Sequence, residues 1–257
     1  MIHPSAIVHP NAKLSRTVDV GPYCVIGEHV TIGPRATLLA HVVVTGRTTI
    51  GEDTTIHPFA TIGAPSQDRK AEPDEVAHTT IGARTVIREY ASVHRGTADA
   101  GGVTSIGDDC LLLAYTHVAH NCRVGNHVTM SNLAQLAGHV VVEDHAGIGA
   151  MAGVHQFVRI GRHAFVGGYA KLGKDLPPYL LADGNPPEVL GPNLVGLRRA
   201  GFARDAIAEL KEIYKTLYAN GQSVSRAVAA LRDSVKTPEG RTLLEFLEAP
   251  SERGILK

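Results

Sequence analysis

The chain has no tryptophan, and aromatic residues make up only 5% of its 257 positions. Its core cannot rest on a few large rings and must be assembled from many small aliphatic contacts. An excess of charge of one sign is missing too: 25 Lys and Arg stand against 25 Asp and Glu. That balance argues against a nucleic-acid protein held mainly by phosphate contacts. No apolar run approaches the ~20 residues of a membrane span. The opening MIHPSAIVHP has neither a basic n-region nor an apolar h-region, so no signal peptide is expected. Cysteine is scarce: Cys24, Cys110 and Cys122 are odd in number and form no CxxC pair. A reducing, cytoplasmic location is the expectation.

What the chain does have is a period. Ile2, Val8, Leu14, Val20, Ile26, Ile32, Leu38, Val44, Ile50, Ile56 and Ile62 fall six apart without a miss. The spacing returns at Ile81, Ile87 and Val93, and again from Ile106 to Leu172. Six fits neither a lone amphipathic helix nor simple strand alternation. It fits a short strand plus a corner, so that three units close a triangular coil of eighteen residues. The aliphatic residue points into the prism, and the glycine that often follows it is expected to accommodate the turn. Stacked coils would pair as parallel strands ~4.8 Å apart. All three cysteines lie two places before an aliphatic position, an inward slot where packing is expected rather than reactivity. Two insertions interrupt the coil, near 63–79 and 94–105.

After Leu172 the pattern stops. DLPPYLLADGNPPEVLGPN reads as a proline- and glycine-rich connection. Helical spacing then covers 203–219, with further helices expected over Ser223–Val235 and Pro238–Leu247. The expected division is a β-helical domain over 1–190 and a small helical domain over 191–257.

Fourteen histidines is a high count. Most occupy corner slots one or three places after an aliphatic position, where surface or hydrogen-bonding roles suffice. His117 and His120 do not: one precedes Val118 by one place, the other follows it by two. At eighteen residues per coil, His120 lies below Gly138, which lies below Gln156. The neighbouring column runs Ala119, Ala137, His155, and His139 follows Gly138 at the same corner. If the 94–105 insertion returns to that corner, His94 and Arg95 fall beneath Ala119 and His120. One edge thus gathers a polar cluster, with a solvated ladder as the plainer alternative. Zinc is the competing ligand, but an HxxH off a helix is weak support for it, and no metal is expected.

Several segments carry a resemblance: 65-PSQDRK-70, 87-IREYASVHRGT-97, 116-THVAHNC-122, 136-LAGHV-140, 154-VHQF-157, 167-GGYAK-171 and 193-NLVGLRRAGF-202. In this order they resemble the acyl-carrier-protein-dependent UDP-N-acetylglucosamine O-acyltransferases, the first enzymes of lipid A biosynthesis, within the hexapeptide-repeat acyltransferases. The resemblance implies a left-handed parallel β-helix with a C-terminal helical domain. It implies transfer of a 3-hydroxyacyl group from acyl carrier protein to the sugar 3-hydroxyl, with no covalent acyl-enzyme. It implies no cofactor of the protein's own, since 4′-phosphopantetheine arrives on the carrier, and a homotrimer with sites between subunits.

By the same matching, His120 is the general base and Gly138 the oxyanion donor. Asp68, Lys70, His94, His117, His139, His155, Gln156, Asn193 and Arg199 bind the sugar nucleotide. Gly168 leaves the acyl tunnel open for a longer chain, on the order of fourteen carbons by that likeness. Asn121, Val195 and Ala200 depart from the pattern, which has an aspartate, an acidic and a second basic residue there. Arg159, Arg162, Lys171, Lys174, Arg198, Arg199 and Arg204 are expected to form a docking face for the acidic carrier. A pathway N-acyltransferase is the near rival, but it carries a uridine-binding domain in front, and here the repeat starts at Ile2. A non-catalytic nucleotide-sugar-binding coil is the rival of another class.

Overall fold

The computed structural model describes residues 1–72, 75–98, 101–218 and 221–257. Two-residue strands recur where the period places them, from Ile7–Val8 to Lys171–Leu172. Each pairs in parallel with the strand one coil on, so that Val25 faces Val43 and Ile26 faces Val44. Among the described residues three sheets of nine, eight and ten strands result, and the chain passes from wall to wall of a triangular prism. This is the parallel β-helix that the period leads one to expect, with the left hand that the resemblance implies.

The packing follows from two-residue alternation. Ile26, Ile32, Leu38, Ile50, Ile56 and Ile62 are each fully buried on the prism axis, while the preceding residues face outward. Each such side chain contributes about 1.5–3 kcal/mol on burial. No ring larger than the prism is needed, which is how the chain manages without tryptophan. The cysteines are buried free thiols, bonded to the carbonyls of Leu39, Gly125 and Ala137. Burial pushes the Cys122 thiol up to about 12, so packing is indeed its part.

The glycines act differently from expectation. Gly33 and Gly51, which follow aliphatic residues, do not carry the left-handed conformation. A Cβ on Gly51 would stand 2.5 Å from the Gly82 carbonyl carbon, so glycine is required by close approach of the next coil. The left-handed residue sits two places later and is usually not glycine. Tyr23, His41, Phe59, Tyr90 and Tyr115 all take it, with φ between 58 and 64 degrees. Each costs about 1 kcal/mol or more, and the side chains offset this by stacking coil upon coil, with ring centroids 4.8–5.1 Å apart.

A second edge alternates charge and then stacks imidazoles. Arg35 pairs with Asp53, Arg84 with Asp109, and His127, His145 and His163 follow as a stack spaced 4.5–4.6 Å. Burial first, then the neighbouring imidazole, holds His163 down to about 4 and His145 below the usual 6.5. The unfolded chain therefore binds protons before the folded one does. This contribution to stability is complete above about pH 6.5 and is lost as the pH falls toward 4. The urea midpoint is expected to decline between pH 6.5 and 5, above the range where carboxylates titrate. A midpoint constant over that window would contradict this account.

Both insertions leave from the third edge, between Ala64 and His78 and between His94 and Val103. The coil resumes in register beyond each: His78 pairs with Arg47, and Val103 with His78.

The connection after Leu172 holds more structure than its prolines suggest. Leu180–Gly184 pairs in parallel with Phe165–Val166, and Pro187–Pro192 folds back on it antiparallel. The last strand thus ends two residues beyond the expected 190 boundary. Among the described residues four helices follow: α1 (Leu194–Arg199), α2 (Arg204–Tyr218), α3 (Val224–Leu231) and α4 (Pro238–Glu248). Helix α1, like the hairpin before it, was not expected from the sequence; Arg198 and Arg199 lie in its last turn, where the macrodipole favours cations. Ser223 and Thr237 cap α3 and α4, and Pro238 opens α4 as expected.

One member of the expected docking face is not available. Arg159 donates from its backbone and its Nε to the Asp175 carboxylate at 2.8 and 2.7 Å. Its guanidinium lies over the Phe246 ring at 4.3 Å. It fastens the last coil to α4. The Arg162 backbone N–H donates to Glu143 Oε2 at 2.9 Å.

Candidate functional site

A cleft of about 740 Å3 opens along the edge that the insertions leave from and spreads across the adjoining sheet. Its floor comes from successive coils. Val93 pairs with Val118, which sets His94 beside Ala119. His139 N–H donates to the His120 carbonyl and Phe157 N–H to that of Gly138, which stacks His120, Gly138 and Gln156 as the eighteen-residue register requires. His94, His117, His120, His155 and Gln156 all line the cleft, with Asp68 and Lys70 reaching it from the first insertion.

Other expected residues lie elsewhere. His139 stands behind the wall, edge-on to His120 at 5.0 Å and stacked on Phe157 at 4.5 Å. The Arg95 side chain turns away, its Cδ 3.6 Å from where a Cβ on Gly46 would be. Asn193 caps α1, accepting from Gly196 N–H at 3.1 Å and donating to the His163 carbonyl at 3.0 Å. Arg199 is exposed on the same helix. Neither lines the cleft of its own chain. Gly168 occupies a different edge, three residues before Lys171 on the cleft rim, and a Cβ there would approach only the Ala150 backbone, at 3.2 Å or more.

The structure adds residues that the sequence reading did not single out for the cleft: Gln67, Arg69, Gln135 and Gly153, with Lys171 moved here from the expected docking face. His117, Gln135, Gly153 and Lys171 form one outward column of a single wall. A gap at Gly153, where a Cβ would touch nothing within 4 Å, was the available signal.

Two of the cleft imidazoles, His94 and His117, are held toward the neutral form. Burial, then the neighbouring histidines, holds His117 down to about 4, and its Nδ1 lies 2.8 Å from Ser92 Oγ. His94 is depressed by burial and by His120, and its Nδ1 has no hydrogen-bond partner among the described residues. Positive charge is confined to the rim, on Arg69, Lys70 and Lys171. Among the described residues no three His, Cys, Asp or Glu are grouped as metal ligands.

His120 and Gly138 are in contact. A Cβ on residue 138 would lie 2.5 Å from His120 Nε2 and 2.6 Å from Cε1. Glycine is the residue that lets the ring stand there. If His120 is the base that the resemblance implies, Gly138→Ala is expected to displace the imidazole and reduce kcat about 100-fold, as ångström-scale misplacement does. An alanine variant within threefold of the parent would overturn that account.

A coil of hexapeptide turns with an imidazole-lined cleft on one edge defines a hexapeptide-repeat transferase, and residues 29–64 match the model of bacterial transferase hexapeptide repeats. Residues 175–256 match the second domain of UDP-N-acetylglucosamine O-acyltransferase. Over its whole length the chain is 49% identical to an acyl-[acyl-carrier-protein]–UDP-N-acetylglucosamine O-acyltransferase of Paraburkholderia xenovorans, covering 99% of that protein. It is 44% identical, at the same coverage, to one of Thermodesulfovibrio yellowstonii. The UDP-N-acetylglucosamine acyltransferase of Francisella novicida superposes with a TM-score of 0.95 at 37% identity, over 100% of this chain and 94% of that one. The chain belongs to the acyl-[acyl-carrier-protein]–UDP-N-acetylglucosamine O-acyltransferase family.

Proposed function

We propose that the protein transfers a 3-hydroxyacyl group from acyl carrier protein to the 3-hydroxyl of the glucosamine ring of UDP-N-acetylglucosamine, the first step of lipid A biosynthesis. His120 is the general base. Its Nε2 removes the hydroxyl proton as the oxygen attacks the thioester carbonyl. The Gly138 N–H faces the oxygen that gains charge. The C–S bond then breaks, and the carrier thiol leaves with the proton from His120. No side chain becomes acylated. The observation that carries this reading is the contact of His120 Nε2 with the bare backbone of Gly138, at the floor of a cleft large enough for a sugar nucleotide.

Asp68, Lys70, His117, His155 and Gln156 then hold the sugar and diphosphate, with His94 beside them. Lys70 with Arg69 and Lys171 supplies the cationic rim that a diphosphate needs. His139 acts by packing the base. Asn193 and Arg199, on α1, reach the cleft of a neighbouring copy in a homotrimer. Gly168 sets acyl length near fourteen carbons, on the likeness noted from the sequence. Acyl carrier protein docks on the exposed Lys174, Arg198, Arg199 and Arg204. The unpaired thiols accord with a reducing cytoplasm.

The test is incubation of the purified protein with a panel of 3-hydroxyacyl carrier thioesters and UDP-sugars, with mass spectrometry of products. O-acylated UDP-N-acetylglucosamine is the expected product, best with the longest chains. No product from any pair sinks the assignment. Light scattering is expected to give three times the 27.2 kDa chain mass.

A further inference from the structure

Asn121 follows His120 and is only 6% exposed, in the left-handed conformation at φ 59. Its Oδ1 accepts from the Thr97 N–H at 3.0 Å, and its Nδ2 donates to the Thr97 carbonyl at 3.1 Å. One backbone partner can only donate and the other can only accept, so the backbone dictates which way the amide lies. A reversed amide would set N–H against N–H and oxygen against oxygen. The Thr97 hydroxyl also donates to Oδ1, at 2.7 Å.

That same oxygen stands 2.8 Å from His120 Nδ1. An amide oxygen has no proton to give, so Nδ1 carries the ring proton and Nε2 is bare. Nε2 is the atom that lies against Gly138. The chain of dictation thus runs from the insertion after His94, through Thr97 and Asn121, to the tautomer of His120.

We propose that Asn121, clamped by Thr97, is a positioning residue that fixes His120 with Nε2 free to take the acceptor proton. It does so without adding a negative charge beside the ring. The proposal rests on His120 as the base. The groups around His120 are His117 of its own coil, His94 and His139 of the coils on either side, and His155, which lines the same cleft two coils along. Asp68 is the sole acid lining that cleft among the described residues, opposite Lys70 on the same insertion. An aspartate at 121 would add the missing charge. It would also put a carboxylate oxygen where Nδ2 now meets the Thr97 carbonyl, repelling the insertion.

The test combines 15N NMR of the His120 ring with pH-rate profiles of the full-length protein and three variants. In the parent, Nδ1 is expected to be protonated and Nε2 not, once the ring is neutral. Asn121→Ala should give a mixture of tautomers and lower kcat at least about tenfold, with KM for UDP-N-acetylglucosamine little changed. Asn121→Asp should move the acid limb of kcat/KM upward by about one pH unit, because a carboxylate favours imidazolium. Thr97→Val keeps the two backbone bonds and should keep the tautomer. A parent ring protonated on Nε2 overturns the proposal, as does an Asn121→Ala protein whose tautomer and kcat per folded molecule are unchanged. If instead His120→Ala stays active, the base reading fails, while the tautomer measurements still report on the clamp.

Discussion

His120→Ala is expected to lower kcat by about 10²–10⁴-fold, the range that a positioned acid–base group contributes. The loss should fall on kcat, with little change in KM for the sugar nucleotide. Asp68, Lys70, His117 and Gln156 remain in place around the cleft, and removing the ring takes nothing from the prism core, whose nearest members are Val118 and Cys122. The variant should therefore unfold at the parent's urea midpoint. That separation matters, because a hydroxyl is a poor nucleophile until its proton has somewhere to go. His94 and His117 line the same cleft, but burial disfavours the charged form of each, and a base must become charged in the act. Neither is a ready substitute. Carrier-thioester consumption within tenfold of the parent rate would dismiss His120 from the base's place and leave the cleft as a binding site.

Most of the fold was legible because six-residue aliphatic spacing has one economical solution. Once the coil is eighteen residues, lateral neighbours follow by addition, and His120, Gly138 and Gln156 fall into one column without coordinates. What register does not give is where a long side chain bends. Arg95 was expected beneath His120, yet its guanidinium turns toward Gly46. His139 shares the corner, but its left-handed backbone points the ring at Phe157. Register also says nothing of backbone conformation within a corner, which is why close approach at Gly51 was read as turn-making freedom. Asn193 and Arg199 were placed by likeness alone. Within one chain neither of them lines the cleft.

The hairpin and α1 were lost for another reason. Prolines and glycines punctuate 175–193 densely, and local signals of that kind outweigh the short apolar run Leu180–Ala182, in which Leu181 and Ala182 pair with Phe165 and Val166. Charge runs mislead in the same way. Four cations between His155 and Lys174 suggest a basic face, but the next residue is Asp175, and it ties one of them to the junction with α4.

Asp175→Ala should therefore be the most destabilising single change at the junction between coil and helices. The carboxylate is fully buried. It accepts from the Arg159 N–H and Nε, and its own backbone joins the chain end through Gly254 and Leu256. Without it, the Arg159 guanidinium keeps only the Phe246 ring and a 3.3 Å bond to the Phe246 carbonyl. An uncompensated charge left at a buried site costs about 3–5 kcal/mol. Per kcal/mol, a domain of this size loses about 2–4 °C in Tm, so a drop near 10 °C is expected. Amide exchange in α4 should quicken before that of the central coils, since the pair ties the helices to the prism's last turn and no further. The double variant Arg159→Met, Asp175→Leu discriminates between causes. Replacing both charges by apolar groups removes the stranded guanidinium and should recover most of the loss. If the double variant is no more stable than Asp175→Ala, the damage comes from lost packing or backbone order at 175. If Asp175→Ala itself costs under about 1 kcal/mol, as an exposed pair would, then the junction is held by the apolar face of α4 and not by its ion pair.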